Sequence, residues 1–333
     1  MTATVPRWRM IQRENFTSLK KLCAYLELDS AQISQLVESK NFPLNLPSRL
    51  AAKIEKGTLN DPIFKQFVPV YEENNLIACF VKDPVGDCHA SQSAKYLKKY
   101  ASRVLLMPTG ACAMHCRYCF RQNYPYAPFQ SGLSQELAWI GQDPSIKEVI
   151  LSGGDPLSLN NDSLQEILHS ICAISHVERI RFHTRFPIGI PERIDEAFLS
   201  LLEACTKQIW FIIHCNHPRE LDLDVLTALK KIQKLGIPVL NQSVLLKGIN
   251  DCIDTLQALC EKLTANGIIP YYLHQLDRVE RAAHFEVSKT QGRQLIQELT
   301  LRLSGYAVPK YVQEIFGETS KTSLMQENKE ACS

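Results

Sequence analysis

From residue 103 onward, short β-rich runs and helical patterns take turns along the chain. The runs Arg103-Val-Leu-Leu-Met, Glu148-Val-Ile-Leu, Arg179-Ile-Arg-Phe-His, Ile209-Trp-Phe-Ile-Ile-His, Ile237-Pro-Val-Leu-Asn and Ile268-Ile-Pro-Tyr-Tyr-Leu are each strand-sized. Between them apolar residues recur three and four apart, as in Leu164, Ile167, Leu168, Ile171 and in Ile194, Ala197, Phe198, Leu201, Leu202, the period of an amphipathic helix. After a wider first gap the strands begin roughly thirty residues apart, the length of a βα unit, which predicts a parallel sheet with helices outside it. Six such units suggest a partial (β/α)6 barrel. An open doubly wound sheet is the alternative, because periodicity does not say whether the sheet curls.

Residues 1–100 lack this rhythm and read as an N-terminal helical layer, with Leu19, Leu22, Cys23, Tyr25 and Leu26 on one apolar face. The expected division is residues 1–100, a barrel at 101–285 and a C-terminal segment at 286–333. The basic residues Lys95, Lys98, Lys99 and Arg103 read as a solvated helix face. The polar stretch after Gly317 is expected to lie over the barrel or fray.

Charge excludes some partners. Lys plus Arg total 37 against 35 Asp plus Glu, a formal +2, so no strong field favours nucleic acid or an anionic membrane. No apolar run approaches the roughly 18 residues of a bilayer span. The start, Met1-Thr-Ala-Thr-Val-Pro-Arg-Trp-Arg-Met, has no secretory pattern, which places the protein in the cytoplasm as an expectation. There the 12 cysteines should be free thiols, most of them small buried hydrophobes, as at Cys172, Cys205 and Cys260.

One group of thiols resists that explanation. Directly after the first predicted strand comes Gly110-Ala-Cys112-Ala-Met-His-Cys116-Arg-Tyr-Cys119-Phe-Arg121, with cysteines spaced CxxxCxxC. Three thiolates at this spacing can converge. A structural zinc needs four ligands, which His115 or a distant residue would have to complete. A 4Fe-4S cluster held by three cysteines instead leaves one iron open to a small molecule. The loop follows the C-terminal end of a strand, where α/β folds gather their ligands. This motif, with Tyr118 beside the last cysteine, resembles the radical S-adenosylmethionine (SAM) superfamily. There the open iron chelates SAM, and one electron from an external donor cleaves the sulfonium to an adenosyl radical. Ser152-Gly153-Gly154-Asp155-Pro156 agrees, since paired glycines let backbone approach a ligand and the polar groups can meet its ammonium.

The likeness narrows on Ser152-Gly-Gly-Asp, His214-Cys-Asn-His-Pro, Asn241-Gln-Ser-Val-Leu-Leu-Lys-Gly-Ile-Asn-Asp251 and Ser304-Gly-Tyr-Ala-Val-Pro309, which together with the cysteine motif resemble the lysine 2,3-aminomutase family over roughly residues 60–321. That family adds pyridoxal 5'-phosphate (PLP), which carries the migrating amine while the protein orients substrate and radical. By position the resemblance implies Lys321 as the covalent PLP lysine and Arg103 at the PLP phosphate. It implies Gly153, Gly154, Asp155, His214 and Gln242 around SAM, with Cys112, Cys116 and Cys119 on the cluster. Free lysine needs a guanidinium at its carboxylate and acids at its remote ammonium, and the matching residues are Arg121 and the pair Asp277 and Glu314.

Relatives of the clostridial type carry cysteines for a zinc site beyond the PLP lysine. Here only Cys252 and Cys332 stand near such positions, and Cys252 also reads as a helix-start thiol. The shorter end resembles the bacterial aminomutases that make (R)-β-lysine, which a separate ligase-like enzyme attaches to a lysine of translation elongation factor P. The alternatives are an aminomutase acting on glutamate or protein-bound lysine, and a noncatalytic zinc-binding scaffold. A homo-oligomer is left open.

Overall fold

A computed structural model of the protein describes residues 5–126 and 132–325. Ten strands form one sheet in strict chain order. They are β1 (Ser91–Ser93), β2 (Tyr96–Tyr100), β3 (Arg103–Leu106), β4 (Glu148–Leu151), β5 (Arg179–Thr184), β6 (Gln208–His214), β7 (Val239–Val244), β8 (Ile269–His274), β9 (Lys310–Gln313) and β10 (Thr322–Ser323). From β3 to β9 every pairing is parallel, whereas β1–β2, β2–β3 and β9–β10 are antiparallel. A doubly wound sheet must reverse its strand order at a switch point, and this one does not. Six βα units run from β3 to the helix Lys289–Arg302, the (β/α)6 core expected of a partial barrel, and β9 adds a seventh parallel strand.

Sequential right-handed crossovers put all the helices on one face, so the other face closes on itself. Arg103, Ile150, His183, Ile212, Gln242 and His274, from six different strands, accordingly line one cavity of about 900 Å³. The helices form where the apolar spacing predicts them. Leu164, Ile167, Leu168 and Ile171 are the buried face of Asn161–Cys172, and Asn160 caps it by accepting from the Ser163 N–H at 2.8 Å. Asp195 and Asp222 cap two further helices in the same way, each cap contributing about 1 kcal/mol.

Three expectations change. Lys98 and Lys99 lie on β2 and Arg103 on β3, with Lys95 in the turn before β2, rather than on a helix, because Tyr96 and Leu97 pack into the core and pair with Leu106 and Leu105. Lys95 is buried and Lys99 faces the cavity. The sheet also crosses both expected boundaries, since β1 and β2 precede residue 101 and β9 and β10 follow residue 285. One apolar core runs from Trp8 to Ile268, which makes the N-terminal helices part of the barrel wall. Leu22 and Leu26 join that core with Leu19 packed against it and Cys23 is buried, as expected, but Tyr25 is exposed. The stretch after Gly317 is not a loose cover, because Thr322 and Ser323 pair with Gln313 and Val312.

Candidate active site

The cysteine loop leaves β3 and is fastened on two sides. On one side it hydrogen-bonds to the loop after β4: Gly154 N–H donates to Thr109 O at 2.9 Å and Asp155 N–H to Ala111 O at 2.7 Å. Gly153 has φ +112°, and a Cβ there would sit 2.7 Å from the Thr109 oxygen; one on Gly154 would overlap the Ala111 carbonyl. These glycines therefore admit the cysteine loop, a different reason for their presence than close approach to a ligand. Asp155 likewise turns inward. Its buried carboxylate accepts from Thr184 Oγ1 (2.7 Å) and from the N–H groups of Leu157, Arg185 and Phe186 (3.0, 2.7 and 3.0 Å). It ties the ends of β4 and β5 together rather than standing free to meet an ammonium.

On the other side the N-terminal layer grips the loop. Asn15 donates to Ala113 O (2.7 Å), Asn45 to Cys112 O (3.3 Å), and buried Arg117 pairs with buried Glu73 (Nε to Oε1, 2.8 Å). Cys112, Cys116 and Cys119 then line the mouth of the cavity. Burial, the Asp155 charge and the two companion thiols hold the Cys112 thiol well above its ordinary range. Burial and Cys116 push Cys119 up to about 11. Three thiolates cannot share this pocket without a strongly positive group among them, which is the donor chemistry an iron–sulfur cluster suits. Arg185 Nη1 donates to Cys116 Sγ at 2.9 Å, while Nη2 binds Glu220 (2.7 Å) and Gln66 (2.6 Å). Hydrogen bonds to sulfur of this kind tune a cluster.

Among the described residues no group of three His, Cys, Asp or Glu side chains stands close enough together to hold a single metal ion. Cys252 is exposed at the start of Ile253–Ala265, its thiol donating to Thr255 Oγ1 at 3.0 Å, which is the helix-start reading. Cys332 lies outside the described residues.

Deeper in the barrel His183, His214 and His274 face the cavity beside Gln242. Each Nε2 is buried without a protein hydrogen-bond partner. Burial drives all three imidazoles toward the neutral form, His214 down to about 3, helped by cationic neighbours such as Arg185 and Arg121. A buried polar atom without a partner is costly, so three around one void mark a place built for polar ligands.

Charged groups gather along another part of the cavity wall. Arg121 donates through Nε to Asp87 (2.7 Å), Lys99 Nζ pairs with Asp87 (2.6 Å) and lies 3.7 Å from Glu314, and Lys321 Nζ pairs with Glu314 (2.8 Å). The register explains the last contact: Thr322 opposes Gln313 across β9–β10, so Lys321 opposes Glu314. Asp277, three residues past β8, faces the same void, and desolvation pushes its carboxyl up to about 7 despite Lys321 nearby. Arg103 stacks its guanidinium 4.1 Å over the Tyr100 ring, and the Tyr100 hydroxyl donates to Glu314 at 2.6 Å.

All thirteen predicted site residues therefore line one cavity, although Asp155, Gly153 and Gly154 do so as supports. Sequence reasoning missed Asp87, Lys99, Tyr100, Arg185, His183 and His274. Asp87 and Lys99 fell in a stretch without strand periodicity. His183 and His274 were visible as polar residues at the ends of β-rich runs, the one signal that could have found them.

A sequential parallel barrel whose first loop presents three thiols at its C-terminal mouth is the barrel of radical SAM enzymes. A family of 4Fe-4S single cluster domains matches residues 101–186. The L-lysine 2,3-aminomutase of Escherichia coli is 41% identical over 288 residues, covering 86% of this chain and 84% of that protein. That of Haemophilus influenzae is 39% identical over 95% of this chain and 94% of its own length. The Clostridium subterminale enzyme of the same name is 32% identical over 96% of this chain and 77% of its own. Among solved structures, a radical SAM methyltransferase from Sphaerobacter thermophilus superposes with TM-score 0.49 at 15% identity, covering 65% of this chain and 68% of that one. The chain belongs to the L-lysine 2,3-aminomutase family and is an isomerase. No described helix is long and apolar enough to cross a membrane.

Proposed function

We propose that this chain converts free L-α-lysine to (R)-β-lysine, with PLP beside the cluster and SAM. The observation that carries the reading is that Arg121, Asp277, Glu314 and Lys321 line the same cavity that the three thiols border. When bound, these groups supply a carbon radical and a carbonyl carrier for the migrating amine. The chain's own residues supply position. Cys112, Cys116 and Cys119 hold the iron, and the unpartnered nitrogens of His183, His214 and His274, with Gln242, are available to the polar parts of SAM and PLP. Arg103, on the strand beside Tyr100, fits the phosphate.

Arg121 orients the α-carboxylate, while Asp277 and Glu314 take the remote ammonium. Lys321 Nζ meets Glu314 at 2.8 Å, a contact that supports this acid as a partner for an alkylammonium. Covalent engagement of Lys321 by PLP would release Glu314 to the substrate.

The 41% and 39% identity to the E. coli and H. influenzae proteins, against 32% to the clostridial one, supports placing the chain with the former two. The product's destination in this reading is a lysine of elongation factor P, reached through a ligase-like enzyme in the cytoplasm. Reconstituted protein incubated without oxygen with lysine, SAM, PLP and a reductant should yield β-lysine by mass spectrometry and chiral chromatography. A loaded protein that leaves lysine untouched, or prefers glutamate or lysine within elongation factor P, defeats the proposal.

A further inference from the structure

The two ends of the amino-acid pocket are physically joined. Asp87, with a side chain 3% exposed, lies between Arg121 and Lys99 and touches both, and Lys99 reaches on toward Glu314. The turn carrying Asp87 does not depend on that carboxylate. Asp83 accepts from the N–H groups of Asp87 and Cys88 at 2.9 Å each, and Lys99 donates to Val85 O at 2.7 Å. Gly86 has φ +69°, with the Phe316 ring packed where a Cβ would stand. With its backbone held by other groups, the Asp87 carboxylate binds two cations, Arg121 and Lys99. Burial opposes its charge, but those cations outweigh it and leave the carboxyl below its ordinary range.

Resting on the substrate reading above, we propose that Asp87 is a positioning residue that holds Arg121 by its Nε edge and, through Lys99, fixes the distance from Arg121 to Glu314. Engaging Nε leaves the Nη edge, where Nη1 makes a long contact to Ser152 Oγ at 3.4 Å, to meet a second carboxylate. The bridge makes the pocket a gauge of length for amino acids with a cationic side chain: lysine spans it and ornithine, one methylene shorter, does not. A loose arginine would still attract carboxylates but would follow a shorter ligand inward.

The test is equilibrium binding of lysine and ornithine to the reconstituted holoprotein without reductant, for wild type, Asp87→Asn and Lys99→Met. Iron content and SAM binding serve as controls that a merely structural defect would move. Asp87→Asn should bind lysine roughly tenfold to a hundredfold more weakly, the worth of one hydrogen bond between charged groups, with SAM binding unchanged and a smaller preference for lysine over ornithine. Lys99→Met leaves the Asp87–Arg121 pair in place and should also lower the preference. If Asp87→Asn does not load iron, Lys99→Met decides. An unchanged lysine-to-ornithine ratio in the iron-loaded variants overturns the bridge alone, whereas a wild type that binds no lysine overturns the substrate reading beneath it.

Discussion

Asp277 offers a direct measurement of how the barrel treats a charge with no full partner. Desolvation raises its carboxyl from the ordinary 3.8 to about 7, with Lys321 opposing the shift and Glu314 adding to it. The native state therefore holds a proton between about pH 4 and 7 that the unfolded chain has released. Stability must fall as pH rises through this window and then stay at the lower value. Three pKa units at about 1.4 kcal/mol each limit the loss to about 4 kcal/mol. Asp277→Asn removes the titration. Urea unfolding of the cofactor-free protein, followed by fluorescence of the tryptophans including buried Trp8, should show variant minus wild-type stability rising by up to that amount between pH 4 and pH 8. The same group predicts that lysine binding weakens about tenfold per pH unit below 7, because the ammonium needs the ionised carboxylate. A stability difference that stays flat across the window would refute the assignment of a desolvated, protonatable Asp277.

His214 should slope the other way. Its pKa is held near 3 by burial, so below pH 6.5 the unfolded state binds the extra proton and stability falls with acid by at most about 5 kcal/mol; His214→Asn should flatten that limb in the same unfolding experiment. Cys119→Ala should abolish four-iron loading, seen as loss of iron, sulfide and brown absorbance after anaerobic reconstitution. Gly154→Ala should cost roughly 1–3 kcal/mol by forcing the Ala111 carbonyl away. It should also lower iron retention, although no ligand atom is altered, and normal loading in this variant would contradict the loop-packing role given to the glycine.

Different parts of the molecule differed in how legible they were. The helix Asn161–Cys172 and the strands from Arg103 to His274 were plain because burial repeats with a local period. The hairpin of β1 and β2 was hidden, since Tyr96-Leu-Lys-Lys-Tyr100 alternates poorly and its pairings are irregular, with β1 between Ser91 and Ser93 and with β3 between Leu97 and Tyr100. Arg185 gave no signal because its importance lies in reaching Cys116, Glu220 and Gln66, residues far away along the chain.

From the amino-acid order alone followed the βα alternation and the three thiols on the first loop, because each is a matter of period or spacing within a short segment, whereas the candidate acids and bases were implied only by the resemblance to a family. Tertiary structure decided that the sheet curls in sequential order, that Asp155 and the paired glycines serve the loop, and that Asp87 and Lys99 stand between Arg121 and Glu314. Those outcomes depend on which distant groups share a low-dielectric interior. There the strength of a charge or hydrogen bond is set by neighbours that no local pattern records.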